Sequence, residues 1–205
     1  MIAVNKTLYH VSLQKWDVGD IIRAGEKDNP FWSFSKAYNP KIEIENQEIS
    51  FAQLAKQETT VFCDTKESAV LLTENMKAAL RESTICIREM CFEKIRKQNY
   101  WYRPSRQKCL WVTNKENLLY WIEQKGFESC YVLKLCLTGK LFKCNAQWLE
   151  NDTFSSEEYE KRAKQYWKGV KKNLPTTEYL FCGRGVVEEV TLYENGTAVT
   201  FGNKA

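Results

Sequence analysis

Apolar positions along this chain follow two rhythms. Runs that alternate, or that are apolar on both faces, mark strands at Leu8–Ser12, Cys109–Thr113, Tyr131–Leu137 and around Lys140–Phe142. Near the end, Glu178–Cys182, Val186–Tyr193 and Ala198–Phe201 read the same way. The turns between them are Thr138-Gly139, Gly183-Arg184-Gly185 and Asn195-Gly196, the last a strong hairpin signal. The helical period appears in Leu72, Met76, Ala79, Leu80, Ile87, Met90, Cys91 and Ile95, which predict one or two helices over 65–98. Asp64 and Glu67 form a capping box there, and Ser83-Thr84 is the place for a break. A second helix runs through Glu116–Ile122 to a stop at Gly126. A third opens at Ser155 with Glu158 three positions on, carries Tyr159, Tyr166 and Trp167 among Lys161, Arg162, Lys164, Lys168, Lys171 and Lys172, and ends before Pro175. From Glu26 to about Thr60 the pattern is weak, punctuated by Pro30 and Pro40. This order predicts one α+β domain over 1–205, with 26–105 as a mostly helical insertion after the first strand.

Composition adjusts the picture in three places. A formal charge of +4 neither demands nor forbids a polyanionic partner, so local clusters decide. The eight cysteines show no C-x-x-C pair and no neighbouring histidine, which argues against a zinc site and for small apolar use in a reducing compartment. The opening residues lack the apolar core of a signal peptide, and no apolar run approaches the roughly 20 residues of a membrane span, so the expectation is a cytoplasmic protein with no membrane contact. No internal repeat or low-complexity tract is present.

Candidate chemistry concentrates in a few stretches. The sole histidine, His10, sits inside Leu8-Tyr9-His10-Val11-Ser12; such a residue is more often a satisfied core group than a catalyst. The loop 17–25, with Gly19 and Gly25, suits a backbone excursion beside a ligand or a plain surface turn. Residues 96–108 hold five cations, three consecutive aromatics and no acid. Arg96, Lys97, Arg103, Arg106 and Lys108 would contact phosphates there, and Tyr100 and Trp101 would stack bases of a single strand. The competing reading is a solvated helix end with aromatics packed on the body. Basic residues late in the 155–172 helix complement its dipole in any protein.

Taken in order, Leu-Tyr-His-Val-Ser (8–12), Leu-Trp-Val-Thr (110–113) leading into a helix, and Thr-Glu-Tyr-Leu-Phe (177–181) resemble the three signature strands of the ADP-ribosyltransferases. The likeness is to the His-Tyr-Glu branch that includes the poly(ADP-ribose) polymerases and the rifampin ADP-ribosyltransferases; Gly19–Gly25 also resembles the segment after the histidine in the latter. It covers about 100 residues, and Trp111 stands where the family usually has tyrosine. The resemblance implies a split β-sheet core, NAD as co-substrate, no metal, and Glu178, His10 and Trp111 as catalytic residues. By the same likeness Tyr9, His10 and Ser12 position the dinucleotide, Trp111 and Trp121 sandwich the nicotinamide, and Thr113 is the small residue of the second motif. It further implies a mono-ADP-ribosyltransferase, a toxin or anti-phage effector with a neutralising antitoxin or other partner protein. The basic aromatic stretch favours RNA or single-stranded DNA over protein as acceptor. The alternative is a non-catalytic module of the same fold that binds NAD or nucleic acid.

Overall fold

The computed structural model describes residues 2–44, 47–56, 65–170, 176–195 and 197–199. Asp64, Lys171, Lys172, Pro175, Gly196 and Phe201, used in the expectations above, lie outside the described residues. The elements in order are β1 (Ile2–Ser12), β2 (Ile21–Ala24), α1 (Pro30–Ala37), β3 (Lys41–Ile44), β4 (Gln47–Ser50), α2 (Phe51–Leu54), α3 (Lys66–Asn99), β5 (Leu110–Val112), α4 (Leu118–Lys125), β6 (Ser129–Asn145), α5 (Ser156–Lys168), β7 (Thr177–Glu194) and β8 (Thr197–Val199). The class is α+β, and the described strand pairings are antiparallel.

β6 and β7 form the spine of the sheet, paired along their whole lengths from Ser129↔Glu194 to Asn145↔Thr177. β1 lies on the outer edge of β6, while β5, β2 and β8 pair with β7. The sheet curls until its two edges meet. Tyr9 and Thr113 exchange backbone hydrogen bonds of 2.8 Å each, joining β1 to the end of β5. Leu8, Val112, Leu133, Leu135, Leu137 and Phe181 fill the inside of this curl. Burial of such side chains contributes about 1.5–3 kcal/mol each.

Two of the three glycine signals read as turns, at Thr138-Gly139 and Gly183-Arg184-Gly185, prove to be positions within long strands. Gly139 and Gly183 face each other in the β6–β7 register, at φ of 155° and 149°. A Cβ at Gly139 would lie 2.3 Å from the Cys182 carbonyl oxygen, and one at Gly183 would lie 2.4 Å from that of Thr138. Glycine here permits backbones to approach and bend without breaking the ladder. The chain therefore passes through both sites as strand.

Helices α3 and α5 cover the other face of β6 and β7. Ser155 caps α5 by accepting from the Glu158 N–H at 3.3 Å, and Gly169 closes it in the left-handed conformation. Tyr159, Ala163, Tyr166 and Trp167, spaced for one helical face, are fully buried; the cations occupy the opposite side. α3 runs unbroken for 34 residues from a Thr65 cap. Ser83 and Thr84 return their hydroxyls to the carbonyls of Ala79 and Arg81 instead of breaking it. Its buried face is the expected one only in part: Ala79, Cys91 and Ile95 are buried as expected, Met76, Leu80 and Met90 are exposed, and Arg88, Glu89, Phe92 and Glu93 are buried besides. The segment 26–105 is mostly helical but adds the β3–β4 hairpin, and the second half of α3 is integral to the core.

Candidate functional site

The curled sheet closes at the isolated Tyr9–Thr113 bridge, beside which His10 on β1 reaches the Trp111 carbonyl of β5. By extension of the β5–β7 register, in which Val112 faces Tyr179, Thr113 stands opposite Glu178. A cavity of about 560 Å³ opens at this seam, within the range of small-molecule sites. Its walls bring together Tyr9, His10, Trp111, Thr113, Trp121 and Glu178, drawn from both ends and the middle of the chain. Ser12 is absent from these walls. Its hydroxyl instead closes a turn at the end of β1, donating to the Gln14 carbonyl at 2.8 Å and accepting from the Gln14 N–H at 3.1 Å. None of residues 17–25 lines the cavity either: Gly19 and Gly25 hydrogen-bond to Val187 and Lys108 as part of the sheet edge.

His10 is held in one tautomer. Its Nδ1–H donates to the Trp111 carbonyl at 2.8 Å, which leaves Nε2 as an acceptor. Desolvation lowers its pKa from 6.5 to about 4, against the opposing pull of the Trp111 hydrogen bond, so the ring is neutral at physiological pH. Between pH 6.5 and 4 the unfolded chain binds the proton and the folded one does not, so His10 lowers stability as pH falls through that window and costs nothing above it. Denaturant titration should show a loss of about 1–3 kcal/mol from this group, absent in His10→Gln. As the only histidine, its imidazole NMR signal should titrate alone near pH 4; titration near 6.5 would contradict the buried setting.

Glu178 is 5% exposed and is held through a single oxygen. Its Oε1 accepts from Arg106 Nη1 and from the Tyr166 hydroxyl, both at 2.5 Å, and Oε2 makes no hydrogen bond to a described residue. Arg106, only 4% exposed, also forks onto Glu89, which in turn binds Arg88. Burial alone would raise the Glu89 pKa, but Arg106 and Arg88 hold it below the ordinary carboxylate value. Two arginines and two glutamates thus share one buried chain, with Tyr166 kept protonated by its burial. Arg88 and Glu89 were not among the expected site residues, Tyr166 figured only as an aromatic of the basic helix, and Arg106 was expected on phosphates. The correction is physical: a guanidinium satisfied by two carboxylates and a phenol inside the protein has no face left for a polyanion.

Aromatic rings supply the remaining walls. Asn29 caps α1 by accepting from the Trp32 N–H and ties it to the body through the carbonyls of Arg106 and Cys109. Phe31 is thereby set edge-on to Trp111, with ring centroids 5.4 Å apart at 89°. Trp121 donates Nε1–H to the Thr177 carbonyl at 3.1 Å, fixing α4 beside Glu178. Thr113 is 4% exposed, and its Oγ1 has no hydrogen-bond partner, an unmet demand on the cavity wall.

The expected nucleic-acid residues divide. Arg96 is turned inward: it pairs with Glu93 and donates to the carbonyls of Trp101 and Arg103, bracing their loop. Lys108 donates to the Glu26 carbonyl at 3.2 Å. Lys97 and Trp101 face solvent, Tyr100 is half-buried, and Arg103 lies over the Phe142 ring at 4.2 Å. Among the described residues no cluster of three or more His, Cys, Asp or Glu side chains could hold a metal ion, and no helix is long and apolar enough to cross a membrane.

No curated protein matches this chain. A family model described as "Protein of unknown function (DUF2441)" matches residues 8–192, from within the strand that carries His10 to Leu192 in β7, and so spans every wall of the cavity. The chain belongs to the DUF2441 family.

Proposed function

We propose that the cavity binds the nicotinamide end of NAD and that the protein transfers ADP-ribose from it to a macromolecule. One observation carries this reading: His10, Trp111, Thr113, Trp121 and Glu178, matched by sequence to separate motifs, line a single cavity. The curled antiparallel sheet, whose two edges meet beside this cavity, supports the reading.

Each side chain suits the demand. A neutral His10 offers Nε2 as an acceptor for a ribose hydroxyl. Trp111 and Trp121 supply aromatic faces for a pyridinium ring, and Thr113 Oγ1 is available to a polar group of the ligand. Breaking the C1′–N bond sends the electron pair to nicotinamide and leaves positive charge on the ribose, as in glycoside cleavage. Glu178, anchored by Oε1, would accept a hydrogen bond from the 2′-hydroxyl through Oε2 and stabilise that charge, while the acceptor's nucleophile bonds to C1′ and gives its proton to solvent. Tryptophan in place of tyrosine keeps the stacking surface and removes a hydroxyl.

Arg106 favours a second reading. It already offsets the Glu178 charge, which weakens the carboxylate's pull on a developing cation and suits a module that holds NAD without turnover. Incubation with NAD labelled in its adenylate half, together with whole-cell lysate, separates the two. Label that survives protease and is released by nuclease supports transfer to RNA or single-stranded DNA; protease-sensitive label makes protein the acceptor. NAD binding without any nicotinamide release establishes the module.

A further inference from the structure

A second recess of about 310 Å³ lies away from the cavity, between the 101–104 loop and β6, lined by Tyr102, Arg103, Lys140 and Phe142 among others. Arg103 is its centre. The guanidinium lies 4.2 Å from the Phe142 ring centroid and 5.1 Å from that of Tyr100, yet Nη1 is buried without a hydrogen-bond partner. Among the described residues no carboxylate pairs with it, nor with Lys140. A desolvated cationic N–H with no acceptor is a demand that an anion meets.

The strand register extends this charge across the sheet. Lys140 faces Cys182, the next same-side pair is Thr138 with Arg184, and Arg184 in turn faces Arg23 on β2. Directly opposed residues of antiparallel strands project to one face, so Lys140, Arg184 and Arg23 form a row. Arg23 and Arg184 are both exposed, and neither makes an ion pair with a described residue. Like charges held directly opposite each other repel, and a polyanion laid over them removes that cost. At the Arg103 end, Trp101 is 74% exposed and Tyr102 52% exposed, their rings perpendicular at 5.9 Å, while Arg96 braces their loop from beneath.

We infer that this face binds single-stranded nucleic acid, with phosphates on Arg103, Lys140, Arg184 and Arg23 and bases on Trp101 and Tyr102. Fixed cations in a row follow a backbone, and exposed rings accept unpaired bases whatever their identity. The inference rests on the transferase reading only for its purpose, as the place where the acceptor docks. Three of these residues, Lys140, Arg184 and Arg23, lie outside the stretch that the sequence pattern singled out for this role.

The test is fluorescence anisotropy of the full chain with labelled single-stranded RNA and DNA of one sequence, and with the matching duplex, across a salt series and with no NAD present. Lys140→Ala and Arg184→Ala change exposed side chains, and Arg103→Met keeps the apolar stem over Phe142. Each should weaken binding about 3- to 10-fold at 0.1 M salt and lower the log–log salt slope by about 1. Trp101→Ala should weaken binding about 5- to 50-fold with the slope unchanged. Absence of strand binding by the wild type, equal affinity for the duplex, or full affinity in both Lys140→Ala and Arg184→Ala overturns the inference. Equal competition by inorganic phosphate also overturns it, since the face would then hold a small anion. Because NAD is absent, none of these outcomes depends on whether the cavity turns it over.

Discussion

Glu178→Gln is expected to lower nicotinamide release from NAD about 10²- to 10³-fold, the loss typical of removing one pre-organised electrostatic group, while NAD affinity changes little. The amide oxygen still accepts from Tyr166 and Arg106, so the side chain keeps its position and only its charge and basicity go. Binding through His10, Trp111 and Trp121 is untouched by the change. Measured as kcat with saturating NAD, the effect separates chemistry from binding. Unaltered release would move the catalytic carboxylate elsewhere, and Glu150 on the same cavity wall would be the next residue to replace.

The second large effect is structural. Arg106→Met fills the same space without charge and removes the cation that, alone among the described residues, pairs with both Glu89 and Glu178. A buried carboxylate stripped of its partner costs about 3–5 kcal/mol, read as a fall in the denaturant midpoint at constant m-value. Glu89 retains Arg88, so most of the penalty falls on Glu178. Adding Glu178→Gln to Arg106→Met should then recover a large part of the loss. A strictly additive double variant would show the two groups to be uncoupled. Arg106→Lys should fail to rescue, because one ammonium cannot fork onto Glu89 while reaching Glu178 and Tyr166.

These two residues also mark the limit of what the sequence makes legible. Glu178, His10 and Trp111 lie on strands with strong local patterns, and their order along the chain was enough to group them before any coordinates. Arg106 could not be read this way. It sits in a stretch whose composition resembles a polyanion-binding surface, and its true partners are 17 and 72 positions distant. Charged residues are rarely buried unless paired, and pairing across such separations leaves no periodic trace. Glu89 and Glu93 did leave a weak one: acids four apart, interleaved with Phe92 and Ile95, on the half of α3 that carries the apolar stripe. Asn29 and Phe31 were hidden in a segment where Pro30 looked like punctuation, although proline at the first helical position after an asparagine cap is a helix start. The glycines at 139 and 183 misled in the opposite direction, since two turn formers facing each other in register mark a close crossing, not two loops. Ser12 shows how far a motif reaches: its spacing from His10 matched, but its hydroxyl was already committed to Gln14.

The central claim is that one cavity presents His10 and Glu178 to the same ribose. A crystal structure of Glu178→Gln with NAD tests it most directly. The nicotinamide ring is expected against Trp111 and Trp121, with ribose hydroxyls within hydrogen-bond reach, about 3 Å, of His10 Nε2 and the amide at position 178. Dinucleotide bound on any other face, or none bound at millimolar NAD, would contradict it.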